Sequence, residues 1–328
     1  MDFAKIPKRK LGFFPTPLIE LENLSKKLNG PKILMKRDDL TGLAFGGNKT
    51  RKLEYLIGDA IQKGCETLIT GGALQSNHCR QTAAAAAASG LSCHLALGGE
   101  PPQNYSGNIL IDKLLGANIH WTGEFRKGEK IPEIAEQLLN TGKKPYVIPY
   151  GGSNEIGAVG FIEAMNELKL QLDSINRSID AIVFASSSGG THTGILLGSK
   201  IFNLNAKIYG IKIDKAEYEN LDYELFLSIL IERTKKHFEI KCEITKKDIF
   251  LDENYLGSGY GVLGELERRA IKLSAETEGI LVDPVYTGRA FGAMIDLIEK
   301  KYFSKNETIL FWHTGGTPSL FAYGDVMF

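Results

Sequence analysis

The chain reads as an α/β protein: two domains whose parallel or mostly parallel sheets are flanked by helices. Two observations point there. Short apolar runs such as Thr67-Leu68-Ile69-Thr70, DAIVFA over 180–185 and the run 308–312 soon reach glycine pairs, and segments of helical periodicity follow them. Such strand and helix signals alternate over most of the 328 residues, as parallel strands joined by crossover helices require. The length suits two domains or one elaborate one. Hydrophobic residues make up 43% and charged residues 24%, the profile of a globular enzyme. Basic and acidic residues balance at 39 each, so composition gives no push towards nucleic acid or an anionic membrane. The opening MDFAKIPKRKLGFF lacks the apolar run of a signal peptide, and no later stretch spans a bilayer without charges. Cys65, Cys79, Cys93 and Cys242 show neither metal-ligand spacing nor a disulfide framework, so no metal is expected, and a reducing cytoplasm is.

Taken in order, Thr16-Pro17 ahead of Leu18, Leu21, Leu24 and Leu28 predicts an N-capped helix with proline in its first turn. The run 32–36 (KILMK) is a short strand. It leads through Arg37-Asp38-Asp39 to a glycine corner, Gly46-Gly47-Asn48-Lys49-Thr50-Arg51-Lys52. Leu53, Leu56, Ile57 and Ile61 then recur at helical spacing up to Gly64. Asn48 is placed to cap that helix, and Gly46-Gly47 let the backbone turn or approach a ligand. After the strand 67–70 come Gly71-Gly72, Gln75-Ser76-Asn77-His78 and a helix with six successive alanines, Ala83 to Ala88, slim enough for a sheet or ligand to pack close. Further strands are expected at 91–97, 118–121, 146–149, 180–185, 207–213 and 308–312. Helices are expected at 108–115, 131–139, 156–172, up to Phe202, from Tyr218 to His237, from Glu265 to Glu278 and up to Lys301, with a short last one after Thr317.

In open α/β folds ligands sit at the carboxyl ends of strands, where loops enter helix N-termini. The richest such loop is Ser186-Ser187-Ser188-Gly189-Gly190-Thr191-His192-Thr193-Gly194. Its hydroxyls, its glycines and the free amides of a helix start suit a phosphate monoester. No lysine follows the glycines, so it is not a Walker loop, and the dinucleotide GxGxxG spacing is absent. A ligand-free serine/glycine turn is the bland alternative. Lys49, at a corner that can present its amine to a pocket, joins this cradle in one hypothesis. Pyridoxal phosphate needs a lysine, an anion site and a partner for its ring nitrogen.

At this point the chain resembles the fold-type II pyridoxal-phosphate enzymes of the tryptophan synthase β-like superfamily, in the branch of D-cysteine desulfhydrase and 1-aminocyclopropane-1-carboxylate deaminase. The matching blocks are TPLIELENLS, KRDDLTGLAFGGNKTRKLEYL, GGALQSNHCRQTAA, VIPYGGSNEIGAVGF, SSSGGTHTG, GSGYG, DPVYTGRAFGAM and FWHTGGTPSLFAY, in family order over nearly the whole chain. The resemblance implies that Lys49 is the Schiff-base lysine and that Ser76 approaches the substrate carboxylate. It implies that Asn77 and Asn48 lie along the cofactor ring, that Ser188, Gly189, Gly190 and Thr191 form the phosphate cup, and that Thr314 faces the pyridine nitrogen, with Thr317 nearby. Tyr260 and Tyr286 match the two tyrosines that flank the substrate; read alone, each is an ordinary core tyrosine. A buried amine has a lowered pKa, so Lys49 is also suited to carrying the Cα proton.

The resemblance further implies a large cofactor-binding domain of residues 1–50 and 165–328, a small inserted domain of 51–164, and a homodimer. Ring-opening deaminases carry glutamate directly after the second tyrosine (DPVYEG). Here that residue is Thr287, which favours β-elimination from D-cysteine or a β-substituted D-alanine to pyruvate, ammonia and hydrogen sulfide. Deaminase, L-cysteate sulfo-lyase or dehydratase activity, and a cofactor-binding protein without turnover, are the alternatives. The pairs His78-Cys79 and Cys93-His94 lack the spacing of a zinc site. His192 is a candidate to lie against the phosphate, and His313 to position its own loop. Arg37 and Arg51 are placed to pair with Asp38 or Asp39, and Lys235-Lys236-His237 and Lys246-Lys247 read as solvated faces. Lys52 is expected to stand apart from cofactor attachment.

Overall fold

In the computed structural model, which describes residues 1–215 and 221–327, the chain opens with β1 (Leu18–Glu20), α1 (Glu22–Leu28), β2 (Lys32–Arg37) and α2 (Lys49–Gln62). Next come β3 (Thr67–Gly72), α3 (Asn77–Ser89), β4 (Ser92–Leu97), α4 (Gly107–Leu114), β5 (Asn118–Trp121), α5 (Ile131–Asn140) and β6 (Pro145–Val147). α6 (Glu155–Ser174) leads to β7 (Ala181–Ser186), α7 (Gly190–Ile201), β8 (Lys207–Lys212), α8 (Tyr223–His237) and β9 (Leu251–Asp252). The chain ends with α9 (Glu265–Glu278), α10 (Thr287–Glu299), β10 (Thr308–His313), α11 (Thr317–Leu320) and α12 (Gly324–Met327).

The strands form a six-stranded sheet in the order β1-β2-β10-β7-β8-β9 and a four-stranded sheet in the order β5-β4-β3-β6. Within both, neighbours run parallel except β1 against β2. β10 shows how the larger sheet is covered. Side chains alternate across a strand, so Ile309 and Phe311 join Met35, Phe291 and Met294 on the side of α1, α9 and α10. Leu310 and Trp312 join Phe161, Met165 and Ile195 on the side of α6 and α7. A strand buried on both faces has no polar side, which is why this run is apolar throughout. In the smaller sheet Leu68 and Leu95 pack under α2 and α3, while Ile69 and Ala96 face Ile131, Ile134 and Leu138 of α5. Ala83 to Ala86 of the alanine helix are all buried.

The first expected helix is corrected by the structure. Leu18, Ile19 and Glu20 pair antiparallel with Lys36, Met35 and Leu34, and the helix is confined to Glu22–Leu28. β2 would otherwise be an open edge, and covering it outweighs the local helical spacing. α8 starts at Tyr223 behind Asp222, whose carboxylate accepts from Glu224 N and Leu225 N; the earlier start at Tyr218 lies outside the described residues. β9, only two residues long, had no counterpart among the expected strands. Among the described residues no helix is long and apolar enough to cross a membrane.

A buried charge network ties the first turn of α2 to its surroundings. The Arg51 guanidinium donates to both carboxylate oxygens of Asp38 at 2.8 Å and to Glu167 of α6 at 2.9 and 3.0 Å. Trp312 Nε1 donates to Asp38 at 2.9 Å. Lys36 Nζ donates to Glu167, to Gln171 and to the Thr16 carbonyl. The expected Arg51–Asp38 and Arg37–Asp39 pairs are both present.

Asp38→Ala leaves the Arg51 charge short of its main partner, and the expected loss is roughly 3–5 kcal/mol in urea unfolding. Burial alone would push the Glu167 carboxyl up, but Arg51 and then Lys36 hold it down at about 2, below the ordinary 4.5. Its contribution is therefore complete above pH about 4.5 and lost as pH falls towards about 2. Urea midpoints measured across that window are expected to fall more steeply in the wild type than in Glu167→Gln.

Candidate active site

The carboxyl ends of β3, β7 and β10 and the N-termini of α2, α3, α7 and α10 surround a narrow cleft. Lys49 and Asn48 enter from the start of α2, Ser76, Asn77 and His78 from α3, and Ser188, Gly189 and Thr191 from the loop into α7. Tyr286 and Thr314 complete the expected set on the cleft wall, joined by Tyr150 and His192. Gly190 is the first residue of α7, and its N–H donates to Ser153 Oγ at 3.0 Å. Tyr260 is not part of the wall. It stands behind Tyr286, the two hydroxyls 2.5 Å apart.

The glycine corner before Lys49 is built for close packing. A Cβ at Gly46 would lie 2.2 Å from the Asp39 carbonyl, and one at Gly47 would lie 2.5 Å from Gln81 Nε2. Asn48 does not cap α2 with its side chain, contrary to expectation. Its Nδ2 donates instead to Thr191 Oγ1 at 3.1 Å, and Gln81 Oε1 takes the Thr50 N–H at 2.9 Å. The physical reason is helical φ and ψ at Asn48, since a capping side chain needs extended backbone. Ser76 is the N-cap of α3, accepting from Cys79 N at 3.1 Å, and lines the cleft as well.

Lys49 is half-buried, and desolvation pushes its amine down to about 8, opposed by a hydrogen bond with Lys52. Lys52 lies beside it. It is fully buried, and its amine donates to the Gly151 carbonyl at 3.1 Å and to Ser153 Oγ at 3.3 Å. Burial and the Lys49 charge push it well below its ordinary value, so the two amines hold fewer than two protons near neutral pH. A Cβ at Gly190 would be 2.9 Å from Lys52 Nζ, so that amine lies against the glycine loop. The signal was in the spacing: residues three apart on a helix share a face.

Tyr150 was missed. Its hydroxyl bonds with Tyr286 and Ser187, and burial raises its pKa; its place at a strand end ahead of Gly151-Gly152 was the available clue. Tyr260 and Tyr286 are also pushed up, first by burial, so all three phenols are neutral proton donors. His192 is pushed down to about 3 by burial, with Nδ1 2.9 Å from Ser186 Oγ. His78 is lowered by burial and then by the two lysines, and its Nε2 lies 2.9 Å from the Thr70 hydroxyl. Both imidazoles are neutral. His313 accepts from Gly315 N at 3.1 Å and so holds the Thr314 loop. Thr287 turns away from the cleft: it is buried, and its hydroxyl donates to Asp283 Oδ1 at 2.6 Å.

Among the described residues no carboxylate lines this cleft. The Lys49 amine lines that space, the buried Lys52 amine lies behind the glycine loop, and the first-turn amides of α7 have no intrahelical acceptors; together they call for an anion.

Residues 9–315 match the family model described as pyridoxal-phosphate dependent enzyme. The chain belongs to that family. It is 41% identical to a D-cysteine desulfhydrase of Klebsiella pneumoniae (strain 342), covering 98% of each chain. It is 40% identical to a provisionally named 1-aminocyclopropane-1-carboxylate deaminase of Pyrococcus abyssi (strain GE5 / Orsay), over 99% of this chain and 96% of that one. The crystal structure of an ACC deaminase homologue superposes with a TM-score of 0.90 at 38% identity, covering 99% of this chain and 96% of that one. An O-ureido-L-serine synthase structure, at TM-score 0.68 and 14% identity over 97% and 93% of the two chains, shares the fold. The chain is thus an enzyme of this pyridoxal-phosphate lyase branch.

The residues present fit that cofactor. Lys49 offers the amine, the loop Ser188–Thr191 with the α7 N-terminus and Lys52 suits a phosphate, and Asn77 and Thr314 offer uncharged polar groups to a ring. In the expected outcome, borohydride fixes pyridoxal phosphate on the wild type and not on Lys49→Ala. Lys52→Met still fixes it, but its preference for pyridoxal phosphate over pyridoxal falls about tenfold, as loss of a charged hydrogen bond of about 1.5 kcal/mol implies. Peptide mapping of the reduced adduct reads both.

Proposed function

We propose that this lyase acts on D-cysteine and related β-substituted D-alanines. With water, D-cysteine would give pyruvate, ammonia and hydrogen sulfide. The bound cofactor supplies an electron-accepting ring beside Cα. Ser76 Oγ and the first amides of α3 bind the substrate carboxylate, the helix dipole adding to the attraction. Lys49, its amine brought near pH 8 by burial, removes the Cα proton and holds it at Nζ. Tyr286, bonded to Tyr260 and Tyr150, presents a neutral phenol that donates a hydrogen bond to the departing sulfur. The C–S bond breaks and sulfur leaves as hydrosulfide, protonated on release.

The observation that carries this choice is Thr287. Opening an unactivated cyclopropane calls for an acid at the cleft, and ring-opening members of the family resembled here have glutamate at this position. In this chain the position holds a hydroxyl engaged by Asp283 and directed inward. Expulsion of a thiolate needs no such acid, because sulfur is already a competent leaving group. The second reading, opening of 1-aminocyclopropane-1-carboxylate, is favoured by the names of two similar proteins.

A pyruvate and sulfide assay across D-cysteine, L-cysteine, L-cysteate and the cyclopropane acid separates these readings. The expected result is sulfide and pyruvate in equal amounts from D-cysteine. Turnover of the cyclopropane acid alone would overturn the Thr287 argument.

A further inference from the structure

Arg80 lies one turn beyond Ser76 on α3, and its side chain is among the largest fully buried ones in the protein. It reaches back to the chain just before Lys49. NH1 donates to the Ala44 carbonyl at 2.5 Å and NH2 to the Gly46 carbonyl at 2.9 Å. The segment it grips has an uncommon backbone: φ is 92° at Gly42, 43° at Ala44, 67° at Phe45, 65° at Gly46 and 128° at Gly47. Two adjacent residues with side chains are thus held in the left-handed region, which disfavours them. Phe45 is 66% exposed, so packing of its ring does not account for the conformation. The far side of the turn is fixed by Gly47 N, which donates to the Asp38 carbonyl and to Thr41 Oγ1.

The charge of Arg80 is directed at this turn. Burial pushes its guanidinium down to about 10, against the longer-range pull of Asp112 and Asp283, so it stays protonated near neutral pH. Asp112, buried on α4, has no hydrogen-bond partner on either oxygen, and burial pushes its carboxyl up to about 8. It makes no hydrogen bond to the guanidinium, which is left to the turn. Gln81, the next residue, takes the Thr50 N–H and hydroxyl. The two residues that follow Asn77, His78 and Cys79 on α3 therefore clasp both sides of the glycine corner.

We propose that Arg80 is a positioning residue for Lys49, holding the strained 42–47 turn in the shape that delivers the Lys49 amine to the cleft. The inference rests on Lys49 being the lysine that takes up the cofactor. It makes α3 a shared support, presenting Ser76 and Asn77 at its start and fixing the approach of Lys49 one turn later.

Arg80→Lys keeps the charge but lacks the planar fork that spans two carbonyls. The readouts are the rate of cofactor uptake by apo-protein, followed by absorbance, the fraction fixed by borohydride, and the urea midpoint. Arg80→Lys is expected to slow uptake roughly tenfold or more, since misplacement of a reacting group by about 1 Å costs on that scale. Adding Phe45→Gly should recover most of the loss, because glycine adopts positive φ freely. Lys301→Gly, which relieves another left-handed residue (φ 60°) at the opposite end of α10, should recover none of it. Normal uptake by Arg80→Lys, or equal recovery by both glycines, would overturn the proposal. Gly46→Ala covers the case in which Arg80→Lys does not fold: it distorts the turn with Arg80 intact and must also slow uptake, and unimpaired uptake overturns the proposal. Fixation of the wild type on another lysine would overturn the inference together with the reading it rests on.

Discussion

Arg51 is the point on which the geometry of the cleft depends. Two cations, Arg51 and Lys36, meet two anions, Asp38 and Glu167, away from water. The groups come from the strand and loop before the glycine corner, from α2 and from α6, with Trp312 of β10 closing the set. Such a cluster gains little over an apolar core, but it tolerates few alternative arrangements, because each unpaired charge would be costly. Its effect is directional. Once Arg51 is committed to that side of α2, Lys49, two residues before it, is turned to the opposite side, towards the cleft.

The cleft has a consistent electrostatic character. Its phenols and imidazoles are neutral, no carboxylate among the described residues lines it, and positive charge is confined to two neighbouring amines and a helix start. Its phenols are kept neutral chiefly by burial. Burial brings the Lys49 amine close to the range in which an amine gives and takes a proton readily.

Much of this was legible in the residues. The apolar run of β10 and the glycine pairs behind the strands specified parallel sheets, because a strand buried on both faces has no polar alternation to offer. Lys49, Ser76 and the Ser188–Thr191 loop were identifiable as strand-end or helix-start groups. What escaped was set by distance in space. Leu18–Glu20 became a strand because β2 needed a neighbour. Tyr150 entered the site through Tyr286, a residue far along the chain. Asn48 gave up its cap because its backbone is helical, and its side chain reaches Thr191 instead. Lys52 was different: its helical spacing from Lys49 was visible, but only the structure shows the hydrogen bond between the two amines.

The charge pattern of the cleft has a further consequence. An amine on the cleft wall, a second one behind the glycine loop and the start of α7 are together a strong lure for a small oxyanion in solution. The resting apo-protein should be regarded as a salt whose counterion exchanges with the medium. Loading it is then ion exchange before it is covalent chemistry, and phosphate or sulfate in the medium competes with the incoming ligand at its anionic end. The pocket that makes the cofactor specific is, until the ring arrives, a receptor for its simplest fragment.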